Sequence, residues 1–391
     1  MSPRTLRLRL GRLGLTGVAA LVAASLTAPA ALADSSAPAR HHGPTRLAMD
    51  AAVKDGVPGV TAQVKDKYGT WKATSGVGDL RTKQQPRSAQ DRYRVGSITK
   101  SFVSTVLLQL EAEGELSLDD TVDQWLPSVV SGNGHDGRRI TLRQLLNHTS
   151  GIFDYTADDD FVRTYFLKDG FFEHRFDELS PEALVKIAMA HKPDFVPGTS
   201  WNYSNTNYVL AGMVIEKATG HAYGDEIRQR IIEPLGLGST FVPGTYPKVP
   251  GPSSRAYGKL AESATGPTYD VTELNPSLAS AAGEMISDSG DLNRFYSALL
   301  RGRLLPGKQL TEMKATVKVD QIPNAGYGLG LIERKLSCGV VVWGHGGGIH
   351  GSTSEAVTTA DGRHSLAFNF NGDWSGNSDA VVEAEFCAKP K

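Results

Sequence analysis

The sequence predicts an α/β protein in which an antiparallel sheet, flanked by helices, is built from both ends of the chain. Patterns typical of strands occur near the start and again near the end of the 391 residues. The long middle part instead alternates helical patterns with loops, and hardly any strand pattern interrupts it. These two observations predict a discontinuous α/β domain into which a mostly helical domain is inserted.

The first 33 residues have the pattern of a secretory signal peptide. Four arginines precede a short apolar stretch over 13–26, and the small residues of Ala31-Leu32-Ala33 follow. We expect cleavage near Ala33, a flexible leader over 34–43, and a secreted protein without a stable membrane anchor. An N-terminal anchor is the alternative, but the apolar stretch is too short to span a bilayer comfortably.

The charge balance argues against nucleic acids as partners. The whole chain has a formal net charge of −1, and the first 33 residues contribute four arginines and no acidic residue. A chain starting near Asp34 would therefore carry a net charge of −5. Such a protein has no basic stripe to offer a phosphate backbone.

The elements follow from periodicity and from their end signals. A short helix is expected at 44–55, and a hairpin at 60–65 and 70–75. The helix that carries Ser97 runs to about Glu113, before Gly114. We place the α/β domain at 44–95 and 320–391, and the helical domain at 96–319, with the site in the cleft between them. The remaining elements are helices at 142–146, 181–190, 208–219, 223–232, 288–301 and 376–386, and strands at 327–335, 340–344, 354–359 and 365–371.

The segment Ser97-Ile98-Thr99-Lys100 is the most informative motif. It begins a long apolar helix, and positions i and i+3 of a helix share one face, so the hydroxyl and the amine can meet. No other serine of the chain has a lysine three positions later. Ser97 is therefore the candidate nucleophile, and Lys100 is its candidate base if burial lowers the pKa of the amine.

Two further motifs supply polar groups that such a nucleophile needs. Tyr203-Ser204-Asn205 is the only Tyr-x-Asn of the chain. A phenol there could ionise near two ammonium groups and shuttle a proton, and the amide of Asn205 could orient Lys100. The tripeptide could also be an ordinary turn.

The second motif, Gly344-His345-Gly346-Gly347-Gly348, is expected directly after the strand at 340–344. Glycines let a substrate lie against a strand edge, and the N–H groups of Ser97 and Gly348 could hold an oxyanion. A phosphate loop is disfavoured because no Lys-Ser/Thr follows. A metal site on His345 and His350 lacks a third ligand nearby, so we expect neither a metal nor an organic cofactor.

Cys338 and Cys387 are the only two cysteines of the chain. In an exported protein such a pair most simply forms a disulfide, here between a strand and the last helix. In the chain-entropy model a loop of that length stabilises the fold by about 4 kcal/mol.

With these motifs in order, the sequence resembles the serine D-Ala-D-Ala carboxypeptidase and class C β-lactamase family over roughly 45–388. The resemblance extends to Tyr93-Arg94-Val95-Gly96, to residues 144–151 and to Tyr327-Gly328-Leu329-Gly330. Secreted actinobacterial-type D,D-carboxypeptidases are the most similar. The resemblance implies a β-lactamase/transpeptidase-like fold, acylation of Ser97, and proton transfer by Lys100 and Tyr203. It implies that Asn205 orients groups and that His345 stands where β-lactamases place a lysine.

The sequence departs from the carboxypeptidases where these enzymes bind the terminal carboxylate of the peptide. Gly346 and Gly348 replace hydroxyl-bearing residues, and Ile332 stands where an arginine is expected. Arg334 lies on the same strand face, about 6.6 Å further along, and is a candidate replacement. We therefore assign Gly346, Gly347, Gly348 and Arg334 to substrate binding.

These observations favour a secreted serine hydrolase that cleaves a D-alanyl-D-alanine peptide bond through an acyl-enzyme at Ser97. The alternatives are a β-lactamase, an esterase or a D-aminopeptidase/amidase on the same scaffold. A non-catalytic penicillin-binding sensor is a further alternative. The expected partner is a small peptide, β-lactam or ester substrate, and the expected state is a monomer.

Overall fold

The computed structural model describes residues 41–83, 85–319 and 324–388. The predicted signal peptide and residues 34–40 of the predicted leader lie outside this part. The predicted leader extends to Gly43, yet the first helix already begins there, and His42 is only 3% exposed.

The described residues contain helices and strands in an order that matches the predicted one at both ends. The strands are β1 Gly59–Asp66, β2 Gly69–Gly76, β3 Tyr93–Arg94, β4 Ser131–Gly132, β5 His135–Asp136, β6 Tyr257–Gly258, β7 Tyr269–Asp270, β8 Ile286–Ser287, β9 Val317–Lys318, β10 Ala325–Tyr327, β11 Ile332–Lys335, β12 Val341–Ile349, β13 Ser352–Thr359 and β14 Ser365–Phe370. The α-helices are α1 Gly43–Lys54, α2 Thr99–Glu113, α3 Val122–Trp125, α4 Leu142–Leu146, α5 Asp159–Tyr165, α6 Lys168–His174, α7 Pro181–Met189, α8 Asn205–Thr219, α9 Tyr223–Ile227, α10 Glu233–Leu235, α11 Ser289–Leu300, α12 Gly307–Met313 and α13 Ser378–Cys387. Short 3₁₀ turns lie at Gly96–Ile98, Gly137–Arg139, Tyr155–Ala157, Pro276–Leu278 and Ser280–Ala282, and a π-helical turn lies at Arg228–Ile232.

Strands from both ends of the chain form one eight-stranded antiparallel sheet in the order β2-β1-β14-β13-β12-β11-β10-β9. β1 pairs with β14, so that Val60 lies opposite Phe370. The predicted discontinuous sheet is therefore confirmed, and the fold is the β-lactamase/transpeptidase-like class expected from the resemblance.

The two faces of the sheet are covered by different helices. Val60, Ala62 and Val64 of β1 lie in one core with Met49 of α1 and Val381 of α13. This alternation is what a strand of period two produces when its two faces pack against different layers.

The opposite face is covered by α11 and belongs to the larger core. Asn293 of α11 donates a hydrogen bond from Nδ2 to the carbonyl of Gln63 in β1 at 2.8 Å. Ala356 and Ala367 of the sheet belong to the same core as Phe295 of α11. Thus α11 packs on the sheet and β9 is its edge strand, although both fall within 96–319, the segment expected to be the helical domain.

Three local differences from the predicted elements have physical reasons. The single strand expected at 327–335 is divided, because Gly330 has φ +70° in a turn between β10 and β11. The helix expected at 223–232 changes to a π-helical turn at Arg228. The helices α3, α5, α6, α10 and α12 were not predicted. α5 begins at a side-chain cap, in which Asp158 Oδ1 accepts from the Phe161 N–H at 2.8 Å.

The predicted disulfide is present. Cys338, in the turn between β11 and β12, is bonded to Cys387 at the end of α13. Among the residues described here, no helix combines the length and the apolar character needed to cross a membrane.

Candidate active site

Ser97 lies in the 3₁₀ turn that leads into α2, and Lys100 lies in the first turn of that helix. Lys100 is fully buried, and its Nζ donates to Ser97 Oγ at 3.0 Å, to Asn205 Oδ1 at 2.8 Å and to the Ala282 carbonyl at 2.7 Å. Burial lowers the pKa of Lys100 to about 7, although the carboxylate of Asp154 opposes this shift. The amine therefore has an accessible neutral form near pH 7, which is the state that can accept the Ser97 proton.

Asn205 begins α8 and connects Lys100 to an acidic residue that the sequence analysis missed. Its Nδ2 donates to Asp154 Oδ2 at 3.0 Å and to Thr156 Oγ1 at 3.2 Å. Because both partners accept, the amide oxygen must face Lys100. The predicted orienting role of Asn205 is thus given a geometric basis, and Asp154 sets the orientation.

Tyr203 lies over Lys100, whose Nζ is 4.8 Å from the ring centroid. The phenol oxygen is buried and has no hydrogen-bond partner of good geometry among the described residues. Burial raises the pKa of Tyr203 well above 10, and the nearby Ser97 hydroxyl only partly opposes this shift. The predicted ionised phenol is therefore not favoured, and the Tyr203 phenol keeps its proton close to Ser97.

The glycine segment 344–348 lies inside β12 and does not follow it, which corrects the predicted position. A Cβ at Gly347 would lie 1.9 Å from the Val95 carbonyl oxygen and 3.0 Å from Ser97 N. A Cβ at Gly96 would lie 2.7 Å from Gly348 N. Only glycines let β12 approach the nucleophile this closely, and this approach brings the N–H groups of Ser97 and Gly348 into one region.

β12 also presents a partly unpaired edge at the same place. β11 pairs with β12 only as far as Gly344, opposite Ile332. From His345 to Ile349, the described residues supply a strand partner on the β13 side alone. The predicted position of a substrate against this edge stays a prediction.

His345 is buried, and its hydrogen bonds determine which ring nitrogen carries the proton. Nδ1 donates to the Gly346 carbonyl at 2.5 Å, so Nε2 accepts from the Tyr327 hydroxyl at 2.9 Å. Burial, together with the nearby charge of Lys100, lowers the pKa of His345 to about 3. His345 is therefore neutral near pH 7 and does not supply the positive charge of the lysine that it would replace.

His148 completes this chain of hydrogen bonds. Its Nδ1 accepts from the Ser204 N–H at 3.2 Å and from Asn207 Nδ2 at 3.1 Å. Its Nε2 must then carry the proton and donate to the Tyr327 oxygen at 3.1 Å. The motif around residues 144–151 signalled His148, but no sequence spacing links it to Tyr327 and His345.

Arg334 lies in β11 and is ion-paired. Its guanidinium donates to Glu355 Oε1 at 2.6 Å and to Asp379 Oδ1 at 2.8 Å. Gly346 faces the same pair, since a Cβ there would lie 2.9 Å from Glu355 Oε2. Two carboxylates thus already neutralise the cation that the sequence assigns to a substrate carboxylate.

The residues brought together are Ser97, Lys100, Tyr203 and Asn205, with the glycines of β12 beside them. A family model described as Beta-lactamase matches residues 42–384, which is most of the chain. The chain belongs to the beta-lactamase family. It is a member of the serine hydrolase superfamily that also contains the penicillin-binding proteins.

Within this family, two solved structures indicate which members the chain is similar to. A D-stereospecific amidohydrolase from Streptomyces sp. is 60% identical, with a TM-score of 0.85 over 89% of this chain and 99% of that one. A D-amino acid amidase from Ochrobactrum anthropi SV3 is 29% identical, with a TM-score of 0.75 over 88% of this chain and 98% of that one.

Curated relatives are more distant and longer. Penicillin-binding protein 4* of Bacillus subtilis (strain 168) is 28% identical over 299 residues, which are 74% of this chain and 63% of that protein. The chain spans about half to two thirds of the length of the curated relatives compared with it. An octameric penicillin-binding protein homologue from Pyrococcus abyssi, 24% identical, shares the fold. The expected monomer stays a prediction.

Proposed function

We propose that the protein is an exported serine hydrolase that cleaves amides of D-amino acids through an acyl-enzyme at Ser97. The observation that carries this proposal is the absence of a free positive charge among the groups assigned to a substrate carboxylate. His345 is neutral, Gly346 and Gly348 have no side chains, and Arg334 is paired with Glu355. A substrate without a terminal carboxylate, such as an amide, suits this arrangement better than a D-alanyl-D-alanine peptide.

The similarity to a D-stereospecific amidohydrolase supports the same substrate class, because it covers almost the whole of that protein at 60% identity. The D-amino acid amidase supports it from a greater distance. The predicted signal peptide and the disulfide support export.

In the proposed mechanism, neutral Lys100 takes the proton of Ser97 as Oγ attacks the carbonyl carbon. The N–H groups of Ser97 and Gly348 hold the developing oxyanion. When the C–N bond breaks, the neutral Tyr203 phenol donates a proton to the leaving nitrogen and regains one from Lys100. In deacylation, Lys100 accepts a proton from water as the water oxygen attacks the acyl carbon. The bond to Ser97 Oγ then breaks, Lys100 returns the proton to Oγ, and the D-amino acid leaves.

The test is a substrate panel with purified protein. We expect ammonia release from D-phenylalanine amide, much slower release from the L-enantiomer, and little D-alanine release from a diacylated Lys-D-Ala-D-Ala peptide. Ser97→Ala is the control and should lower turnover by at least about 10³-fold, because it removes the nucleophile. Efficient D-alanine release that depends on Ser97 would instead establish the carboxypeptidase, and would require Arg334 to leave Glu355.

A further inference from the structure

A small cavity of about 20 Å³ lies against β3, the strand that leads into the turn carrying Ser97. We call it the arginine cavity, because its lining includes four arginines: Arg87, Arg92, Arg94 and Arg255. No carboxylate is among the described residues that line it. A cavity of this size holds one water molecule or one monatomic ion.

Arg94 is a buried cation with unused hydrogen-bond donors. The residue is 3% exposed, and its Nη2 donates to the carbonyls of Pro247 at 2.6 Å and Leu274 at 3.1 Å. Its Nε and Nη1 are also buried, and neither has a hydrogen-bond partner among the described residues. Buried donors are nearly always paired in folded proteins, so these two call for an acceptor that the chain itself does not supply.

Arg92 adds a third unpaired donor. Its Nη1 donates to the Gly251 carbonyl at 2.9 Å, whereas its buried Nε has no partner in the described part of the chain. On the acceptor side, Asn371 Oδ1 is the one buried lining atom that the described residues leave unpaired. Three unpaired donors against one unpaired acceptor favour a guest that accepts hydrogen bonds over water, which also donates them.

Two of the four arginines are already neutralised by carboxylates. Arg87 Nε lies 2.8 Å from Asp91 Oδ2. Arg255 pairs with Asp270, and its Nε lies 3.4 Å from Asp79 Oδ2. The charges of these pairs cancel, so the other two arginines determine the sign of the charge at the cavity.

Arg92 and Arg94 carry positive charges that no carboxylate balances. Neither forms an ion pair within the residues that the structure describes. Burial lowers the pKa of Arg94 only to about 10, so its guanidinium stays charged at pH 7. Glu284 interacts with Arg94, but burial raises the pKa of Glu284 to about 8, so that this carboxyl keeps its proton at pH 7. A buried charge without a partner is costly, and a bound anion would remove that cost.

We propose that the arginine cavity binds one chloride ion, held by the unpaired N–H groups of Arg92 and Arg94. Chloride is monatomic, accepts hydrogen bonds without donating any, and supplies the missing negative charge. Both arginines also hold the loop that contains Pro247 and Gly251, so the ion would fasten that loop to β3. The site is independent of the proposed function and requires no particular substrate.

The first experiment measures thermal unfolding in about 1 mM and about 200 mM sodium chloride, with sodium gluconate added to hold the ionic strength constant. Gluconate is far too large for the cavity. Because an ion that binds only the folded chain stabilises it, chloride should raise Tm by about 2 °C, and bromide should act in the same way. A Tm that responds to ionic strength but not to the kind of anion overturns the proposal.

Arg92→Met tests the cavity itself, because it removes Nε and one positive charge while keeping an unbranched side chain. It should abolish the response of Tm to chloride. Arg301→Met, at an exposed arginine outside the cavity lining, is the matched control and should keep the full response. An Arg92→Met variant that responds like its parent contradicts the assignment.

The second measurement needs no variant. Crystals of the wild-type protein grown in sodium bromide should show an anomalous-scattering peak between the guanidinium groups of Arg92 and Arg94. A density there without anomalous signal means that water fills the cavity, and this result overturns the chloride site.

Discussion

At the level of single residues, Lys100 couples the burial of the site to its proposed chemistry. Its amine donates three hydrogen bonds, one to the Ser97 hydroxyl and two that hold it in place, to Asn205 and to the Ala282 carbonyl. Because burial lowers the pKa of the amine to about 7, the fraction of neutral Lys100 changes steeply around neutral pH. The rate of acylation should follow that fraction.

The first prediction concerns this pH dependence. Below pH 7, kcat/KM should fall about tenfold per pH unit, because only the neutral amine accepts the Ser97 proton. Asp154→Asn should move this acid limb of the pH profile to lower pH, since the Asp154 carboxylate raises the pKa of Lys100. The measurement is kcat/KM for an amide from pH 5 to 9.

Asp160→Asn is the control, because the Asp160 side chain is 82% exposed and pairs with Arg163. It should leave the limb in place. A profile that is flat over the whole range would remove Lys100 from the role of base.

The second prediction concerns Tyr327, which joins His148 to His345. Tyr327→Phe removes the proton that His345 Nε2 accepts and the oxygen to which His148 donates. Leaving two buried groups unpaired should lower the free energy of unfolding by about 1–3 kcal/mol. Because His345 is then free to adopt its other tautomer, kcat should also fall, and chemical denaturation with steady-state kinetics measures both.

Tyr246→Phe is a suitable control for that substitution, since Tyr246 is 52% exposed. It should change neither quantity. Unchanged stability in Tyr327→Phe would contradict this prediction.

Ser97, Lys100, Tyr203 and Asn205 were predictable because short, local spacings carry their chemistry. The contacts of Asp154 and Tyr327 were not predictable, since their partners lie 51 and 18 residues away and no local pattern links them. The neutral state of His345 depends on burial, which no motif reveals. Sequence thus predicts the groups of the site better than their protonation.

At the level of elements, β12 determines how closely the sheet approaches the nucleophile. The glycine motif was placed after the strand and not within it, because glycine disfavours strands. Here the close approach to Val95 requires glycine in the strand itself. At 327–335 glycine has the other effect and interrupts a predicted strand, because the turn there requires φ +70° at Gly330. Long amphipathic elements were predictable, whereas positions set by close packing were not.

The third prediction uses two glycines of β12. Gly347→Ala should displace the strand from Ser97, because its Cβ would overlap the Val95 carbonyl oxygen. We expect activity to fall at least about tenfold and Tm to fall as well, since backbone atoms must move. Gly348→Ala is the matched substitution, with no atom within 4 Å of its Cβ, and it should keep the parent Tm. Equal Tm values for both variants would contradict this packing.

At the level of the whole molecule, a buried acid joins α1 to α13. Glu385 accepts from Thr45 Oγ1 at 2.6 Å and His364 Nε2 at 2.6 Å, and it contacts His42 Nδ1 at 3.1 Å. Burial alone would raise the pKa of Glu385, but these hydrogen bonds outweigh it and lower the pKa below its ordinary 4.5. The ionised carboxylate therefore stabilises the folded chain.

The fourth prediction follows from that shift. Glu385→Gln should lower the free energy of unfolding by about 2 kcal/mol at pH 7. A carboxyl group whose pKa is lower in the folded chain than in the unfolded chain contributes its full stabilisation only at a pH above the unfolded pKa. The difference in unfolding free energy between the parent and Glu385→Gln should therefore shrink as the pH falls below about 4.5. Thermal unfolding at several pH values tests this. Asp50→Asn, at a position 48% exposed on α1, should show no such trend.

The pairing of β1 with β14 also has a consequence for the timing of folding. The ribosome makes Ser97 and Lys100 long before the glycines at 346–348, and the sheet that carries those glycines closes only when Phe370 meets Val60. Contacts of such sequence separation form late and slowly. Ser97 and the glycines of β12 therefore come together only when distant parts of the sequence have folded against each other, and hydrolytic activity is a measure of completed folding.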